Sequence, residues 1–152
     1  CYEGATMIKT FRGLIADGTQ DTIVLHTNDG SMGYRIVKFE VISQEPGGDN
    51  SEAVLKIYKI EQTTVTTTVD FSDNTLLAVA FYRSHGSSSY PTDTVISFDT
   101  EIFNQDIFIT NQDRENNPMN YYIELEQVKL DLSENTVATL KDIRNIKRTA
   151  TG

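Results

Sequence analysis

Polar and apolar residues alternate along most of this chain with the period of two that a half-buried β-strand requires. The clearest run is 121–126, where Tyr121, Ile123 and Leu125 are separated by Tyr122, Glu124 and Glu126. Beyond Gln127 the apolar positions are Val128, Leu130 and Leu132, so the phase moves from odd to even numbers. One extra residue near Glu126 and Gln127 would preserve a single apolar face, which predicts a β-bulge there or a crossing between sheets. Ser133 then offers an N-cap, Glu134 falls in the first turn, and Leu132 can pack on Val137 as a hydrophobic staple. Val137, Leu140, Ile143 and Ile146 recur every third residue, accompanied by Lys141, Arg144, Lys147 and Arg148. This spacing predicts a short C-terminal helix with cations in the turns where they suit the helix dipole.

Shorter alternating runs precede it. Residues 7–15 and 22–27 read as strands on either side of Asp17-Gly18, a strong turn signal, and predict a hairpin. In 33–43 both alternating faces are half apolar, which predicts a strand crossing the middle of a sheet. Residues 52–61 read as another strand, and the five threonines of 62–68 favour an extended, exposed edge or ribbon. The unbroken apolar run Leu76 to Phe81 suits a buried strand or a short core helix capped by Asp73, with strand preferred. Further strands are expected at 95–98 and within 101–110, and loops at 45–51, 84–94 and 111–120. About eight or nine strands and one helix predict a mainly β protein, an antiparallel, jelly-roll-like β-sandwich. Residues 7–148 form its single domain in this reading and 149–152 a tail. Residues 1–6 are an upstream extension or a non-native remnant with no fold role.

Composition narrows the partners. The chain has 152 residues, 22 acidic against 13 basic, and a net charge of −9, which disfavours direct contact with nucleic acid or an anionic membrane. Four of the 13 bases lie between Lys141 and Arg148, a solvated helix end or a contact for an acidic neighbour. A single cysteine, Cys1, rules out an internal disulfide and a thiolate metal cage. No apolar run approaches 18 residues, and no charged segment followed by an apolar one opens the chain, so neither a membrane span nor a signal peptide is expected.

Reactive chemistry is sparse. His26 and His85 are the only side chains able to act as a base at neutral pH, at a strand end and in a Ser/Gly loop. Ser87, Ser88 and Ser89 lack a nucleophile-elbow motif. Asp70 with Asp73, and Asp99 with Glu101, are the closest carboxylate pairs, but a sugar-cleaving cleft is usually floored by tryptophan and the chain has none. Asp17 to Asp21 and Asp70 to Asp73 offer oxygens to calcium without matching a calcium loop, and turn formation explains them. The reading is therefore not an enzyme, with no cofactor and no metal. Six tyrosines, Tyr34, Tyr58, Tyr82, Tyr90, Tyr121 and Tyr122, could stack on sugars, with only Tyr90 in a clear loop.

Four phrases carry a resemblance: 10–18 (TFRGLIADG), 33–39 (GYRIVKF), 98–107 (FDTEIFNQDI) and 120–126 (NYYIELE) continuing through 136–144 (TVATLKDIR). In these the chain resembles, over about 7–148, small uncharacterised virion-associated proteins of marine tailed bacteriophages. The resemblance implies a non-catalytic virion structural protein, a capsid decoration or neck- or tail-associated component whose partners are its own copies and other virion proteins. It supplies no functional residues. Lys141, Arg144, Lys147, Arg148 and Tyr90 are the candidate partner contacts. A carbohydrate-binding module recognising host-surface glycans is the alternative.

Overall fold

The computed structural model describes residues 7–25, 31–46, 50–84 and 92–130. These form eight strands: β1 (Ile8–Ile15), β2 (Thr19–Ile23), β3 (Met32–Ser43), β4 (Ser51–Tyr58), β5 (Leu76–Ser84), β6 (Thr92–Ser97), β7 (Ile107–Asp113) and β8 (Met119–Lys129). Two antiparallel sheets result, one in the order β1-β8-β3 and one in the order β2-β7-β4-β5-β6. The protein is mainly β, as its alternation predicts, and the apolar run at 76–81 is strand. The expected C-terminal helix lies outside the described residues.

The sheets share one apolar cluster in a sandwich-like arrangement. β8, the middle strand of the smaller sheet, contributes Met119, Tyr121, Ile123 and Leu125, the odd-numbered face of the run that alternates most clearly. Leu55 and Ile57 of β4, Ala78, Ala80 and Tyr82 of β5, and Ile107 and Ile109 of β7 meet them from the larger sheet. Burying such side chains stabilises a fold by roughly 25 cal/mol per Å² of apolar surface.

Several expectations change. First, no bulge lies at Glu126 and Gln127: β8 keeps unbroken register with β1 and pairs through Lys129 with β3. The extra residue is Val37 on the partner strand, where the register steps from Ile36 opposite Leu125 to Lys38 opposite Glu124. The phase change near 127 reflects cover on the other face. Gly33 lies opposite Val128, and a Cβ on it would come within 2.8 Å of Ile102 and 3.5 Å of Leu130. The 102–103 segment crosses there, and Phe103 exchanges backbone hydrogen bonds with Tyr34 at 2.7 and 2.9 Å.

Second, β3 is an outer strand of its sheet. Its two half-apolar faces are one inward face interrupted by Val37: Tyr34 and Ile36 are buried before the bulge, Phe39 and Val41 after it. Third, Asp17-Gly18 turns the chain between sheets and closes no hairpin, because β1 pairs with β8 and β2 with β7. Gly18 has φ of 73° and donates its N–H to Asn111 O at 2.7 Å. The Asp17 carboxylate accepts the Asp113 N–H at 2.6 Å and the Gln112 side-chain amide at 3.2 Å. The corner is thereby tied to β7, and the chain enters the second sheet.

The threonine-rich stretch is no strand but part of a connection, 59–75, laid across the outer face of the larger sheet. Lys56, 3% exposed, reaches from β4 to Thr68 O at 2.5 Å and Thr66 Oγ1 at 3.3 Å. Gln20 and Gln62 exchange two hydrogen bonds, at 3.2 and 2.9 Å. Phe71 meets Phe98 edge-on with centroids 5.3 Å apart.

Candidate binding groove

The residues singled out for partner contact, Lys141, Arg144, Lys147, Arg148 and Tyr90, lie outside the described residues, as do His26, His85 and the three consecutive serines. The acidic pairs are described, and three of their four carboxylates, Asp70, Asp73 and Glu101, have local partners. Asp70 accepts the Ser72 N–H at 2.9 Å and its hydroxyl at 2.6 Å, and Asp73 does the same for Thr75. These are Asx-turn bonds that shape the connection. Glu101 pairs with Lys59 at 3.0 Å. Asp21 accepts the Tyr121 hydroxyl at 3.3 Å. Among the described residues no three His, Cys, Asp or Glu side chains gather as a metal site, and no helix is long and apolar enough to cross a membrane.

Burial sorts the five described tyrosines. Tyr34, Tyr58, Tyr82 and Tyr121 are buried, whereas Tyr122 is partly exposed on the outer face of β8. That face holds an open groove of about 640 Å³. Its lining follows from strand register. Gly13, Tyr121 and Val41 stand opposite one another across β1, β8 and β3, and their backbone forms the floor. Arg12, Tyr122 and Glu40 form the next row and one wall, and Leu14, Asn120 and Ile42 form the other. Successive outward residues on a strand set the two lining rows about 7 Å apart centre to centre, and three strands make the groove roughly 10 Å long.

The walls differ in chemistry. One is cation, aromatic ring and carboxylate. The other is an amide between Leu14 and Ile42, each 48% exposed. The Tyr122 hydroxyl donates to Glu124 Oε2 at 2.7 Å, which fixes the ring direction, and this bond, aided by burial and nearby negative charge, raises the phenol pKa above its ordinary value. Beneath the floor, Tyr121 is pushed up to about 12 by burial first, then by the Asp21 charge and hydrogen bond. Across the molecule, burial lowers the Lys56 pKa, opposed by Asp73. Burial raises that of neighbouring Tyr58, helped by Asp73 and Asp70.

Sequence reasoning placed Tyr122 among possible sugar platforms but did not find the groove. Arg12, Glu40 and Asn120 are far apart in the chain, and only the pairing of β1 and β3 on β8 brings them together. The available signal was weak: outward positions 12, 14, 40, 42, 120 and 122 mix aliphatic and aromatic groups with polar ones.

No protein-family model matches the chain, and no curated protein sequence matches it.

Proposed function

We propose that this chain is a non-catalytic structural protein of a tailed-phage virion, working through contacts with its own copies and with other virion proteins. We further read its two sheets as a jelly-roll-like sandwich. The observation that carries the assembly reading is the set of open strand edges. Among the described residues β6 pairs only with β5 and β1 only with β8. An unpaired edge presents a row of N–H and C=O groups to a neighbour. β6 also exposes Ile96 and carries a single charge, Asp93, so little on it repels an adjoining strand. Charge supports the same reading: four cations against one carboxylate, Asp142, lie between Lys141 and Arg148 in a chain of net charge −9. Complementary surfaces of this kind steer association between copies. Peptide mass spectrometry of purified particles tests the placement. The chain should be present in a fixed multiple of the portal or tail proteins, and absence from intact particles would overturn it.

A second reading, recognition of host-surface glycans, is favoured by the groove, where Tyr122 is the one described tyrosine that is not buried.

A further inference from the structure

We infer that the groove across β1, β8 and β3 is a subsite for a neutral saccharide, bound with ring C–H groups against Tyr122, Leu14 and Ile42 and hydroxyls toward Arg12, Glu40 and Asn120. The inference rests on the recognition reading and gives it a place and a ligand class. Size comes first. The lining rows span roughly 10 Å across three strands, about the length of two pyranose rings, and 640 Å³ lies within the range of small-molecule sites.

Chemistry selects among ligands of that size. A sugar ring is apolar on its C–H faces and polar around its rim, and the groove repeats that division. One wall is aliphatic around an amide, and the other sets an aromatic ring between two planar charged groups. Guanidinium and carboxylate groups each engage two adjacent hydroxyls at once, and charge-assisted hydrogen bonds are stronger than neutral ones. Arg12 has no ion-pair partner among the described residues. Glu40 has only a distant one, Lys38 at 3.9 Å, so little must be broken to use either.

The charges also select a neutral ligand. Arg12 and Glu40 flank Tyr122 from opposite strands, in the same cross-strand row. An acidic sugar drawn to Arg12 would meet Glu40 across the ring, and an amino sugar drawn to Glu40 would meet Arg12. The Tyr122–Glu124 hydrogen bond holds the platform in place before binding, which reduces the ordering that binding requires.

Titration of the whole chain, followed by tyrosine fluorescence and calorimetry, tests this directly, since no tryptophan masks the signal. The probes are neutral hexaoses of glucose, galactose and N-acetylglucosamine, with an oligogalacturonate as the acidic comparison. At least one neutral hexaose should bind, and Tyr122→Ala should weaken it about tenfold or more. Arg12→Gln, an exposed change that leaves the core intact, should weaken it several-fold, and the oligogalacturonate should bind less well than the neutral probe. Failure of every saccharide to bind would overturn the recognition reading itself. Binding that survives both substitutions, or that prefers the oligogalacturonate, would overturn the groove assignment and leave recognition to another surface.

Discussion

Tyr121 lies over Gly13. The two stand opposite each other in the β1–β8 ladder, and a Cβ on Gly13 would fall 2.9 Å from the Tyr121 hydroxyl oxygen and 3.0 Å from its Cζ. The ring covers backbone that a side chain would otherwise shield, a recognised way of accommodating glycine in a sheet. Gly13→Ala should therefore destabilise the protein by about 1–3 kcal/mol, through overpacking against a ring already hydrogen-bonded to Asp21. In a Tyr121→Ala background the same substitution should be neutral or stabilising, because alanine holds extended backbone at lower entropy cost than glycine. Chemical denaturation of the four proteins in this cycle measures the change of sign.

The same tyrosine makes stability depend on alkaline pH. Its pKa is raised in the folded state to about 12 from the ordinary 10.0. Its contribution is thus fully present below pH 10 and is lost as pH rises through 12. Tyr121→Phe should lose stability at neutral pH along with the Asp21 bond, yet fall less steeply between pH 10 and 12. Denaturation midpoints of both proteins across that interval provide the check, and parallel curves would contradict it.

Asp113, 1% exposed at the end of β7, holds the turn into β8. Its carboxylate accepts the N–H groups of Glu52 at 2.9 Å, Glu115 at 2.8 Å and Asn117 at 3.2 Å, around Asn116 with φ of 65°. Asp113→Ala leaves three donors without their acceptor and should cost about 3 kcal/mol or more. Asp113→Asn, which keeps one acceptor oxygen, should cost less than half as much. Thermal unfolding ranks the two.

Lys56 fastens the threonine-rich connection to the sheet through Thr68 O. Replacing it with methionine keeps the apolar stem and removes a buried cation, an exchange that is often near neutral for global stability. Local opening should respond instead. Amide hydrogen exchange in Lys56→Met should rise about tenfold over residues 61–70 while β4 and β7 stay protected, and unchanged exchange there would show that contacts such as the Gln20–Gln62 pair hold the segment without Lys56.

Much of the fold was legible because period-two alternation survives wherever one face is buried: Tyr121, Ile123 and Leu125 announced β8. The unbroken run Leu76 to Phe81 fitted strand or helix, with strand preferred, and is β5, buried on both faces. Alternation became ambiguous where two causes produce one pattern. Val37 as an inserted residue makes β3 look apolar on both faces, and the crossing at Ile102 and Phe103 makes β8 look as if it changes phase. Asp17-Gly18 signals a turn correctly, but whether the next strand pairs with the last is decided by Asp113 and Asn111, nearly a hundred residues away. The groove was illegible for the same reason. Its walls are rows across strands, and rows depend on register between β1, β8 and β3 that no local signal encodes.

The proposed assembly through complementary charge and open strand edges is most directly examined by the mass of the intact protein in solution, measured by native mass spectrometry and light scattering as concentration and salt are varied. Symmetric oligomers should form at low ionic strength, and a variant with Lys141, Arg144, Lys147 and Arg148 all changed to glutamate should shift toward single chains, as should raised salt. A chain that remains monomeric at every concentration, alone and when mixed with its proposed virion partners, would contradict the account.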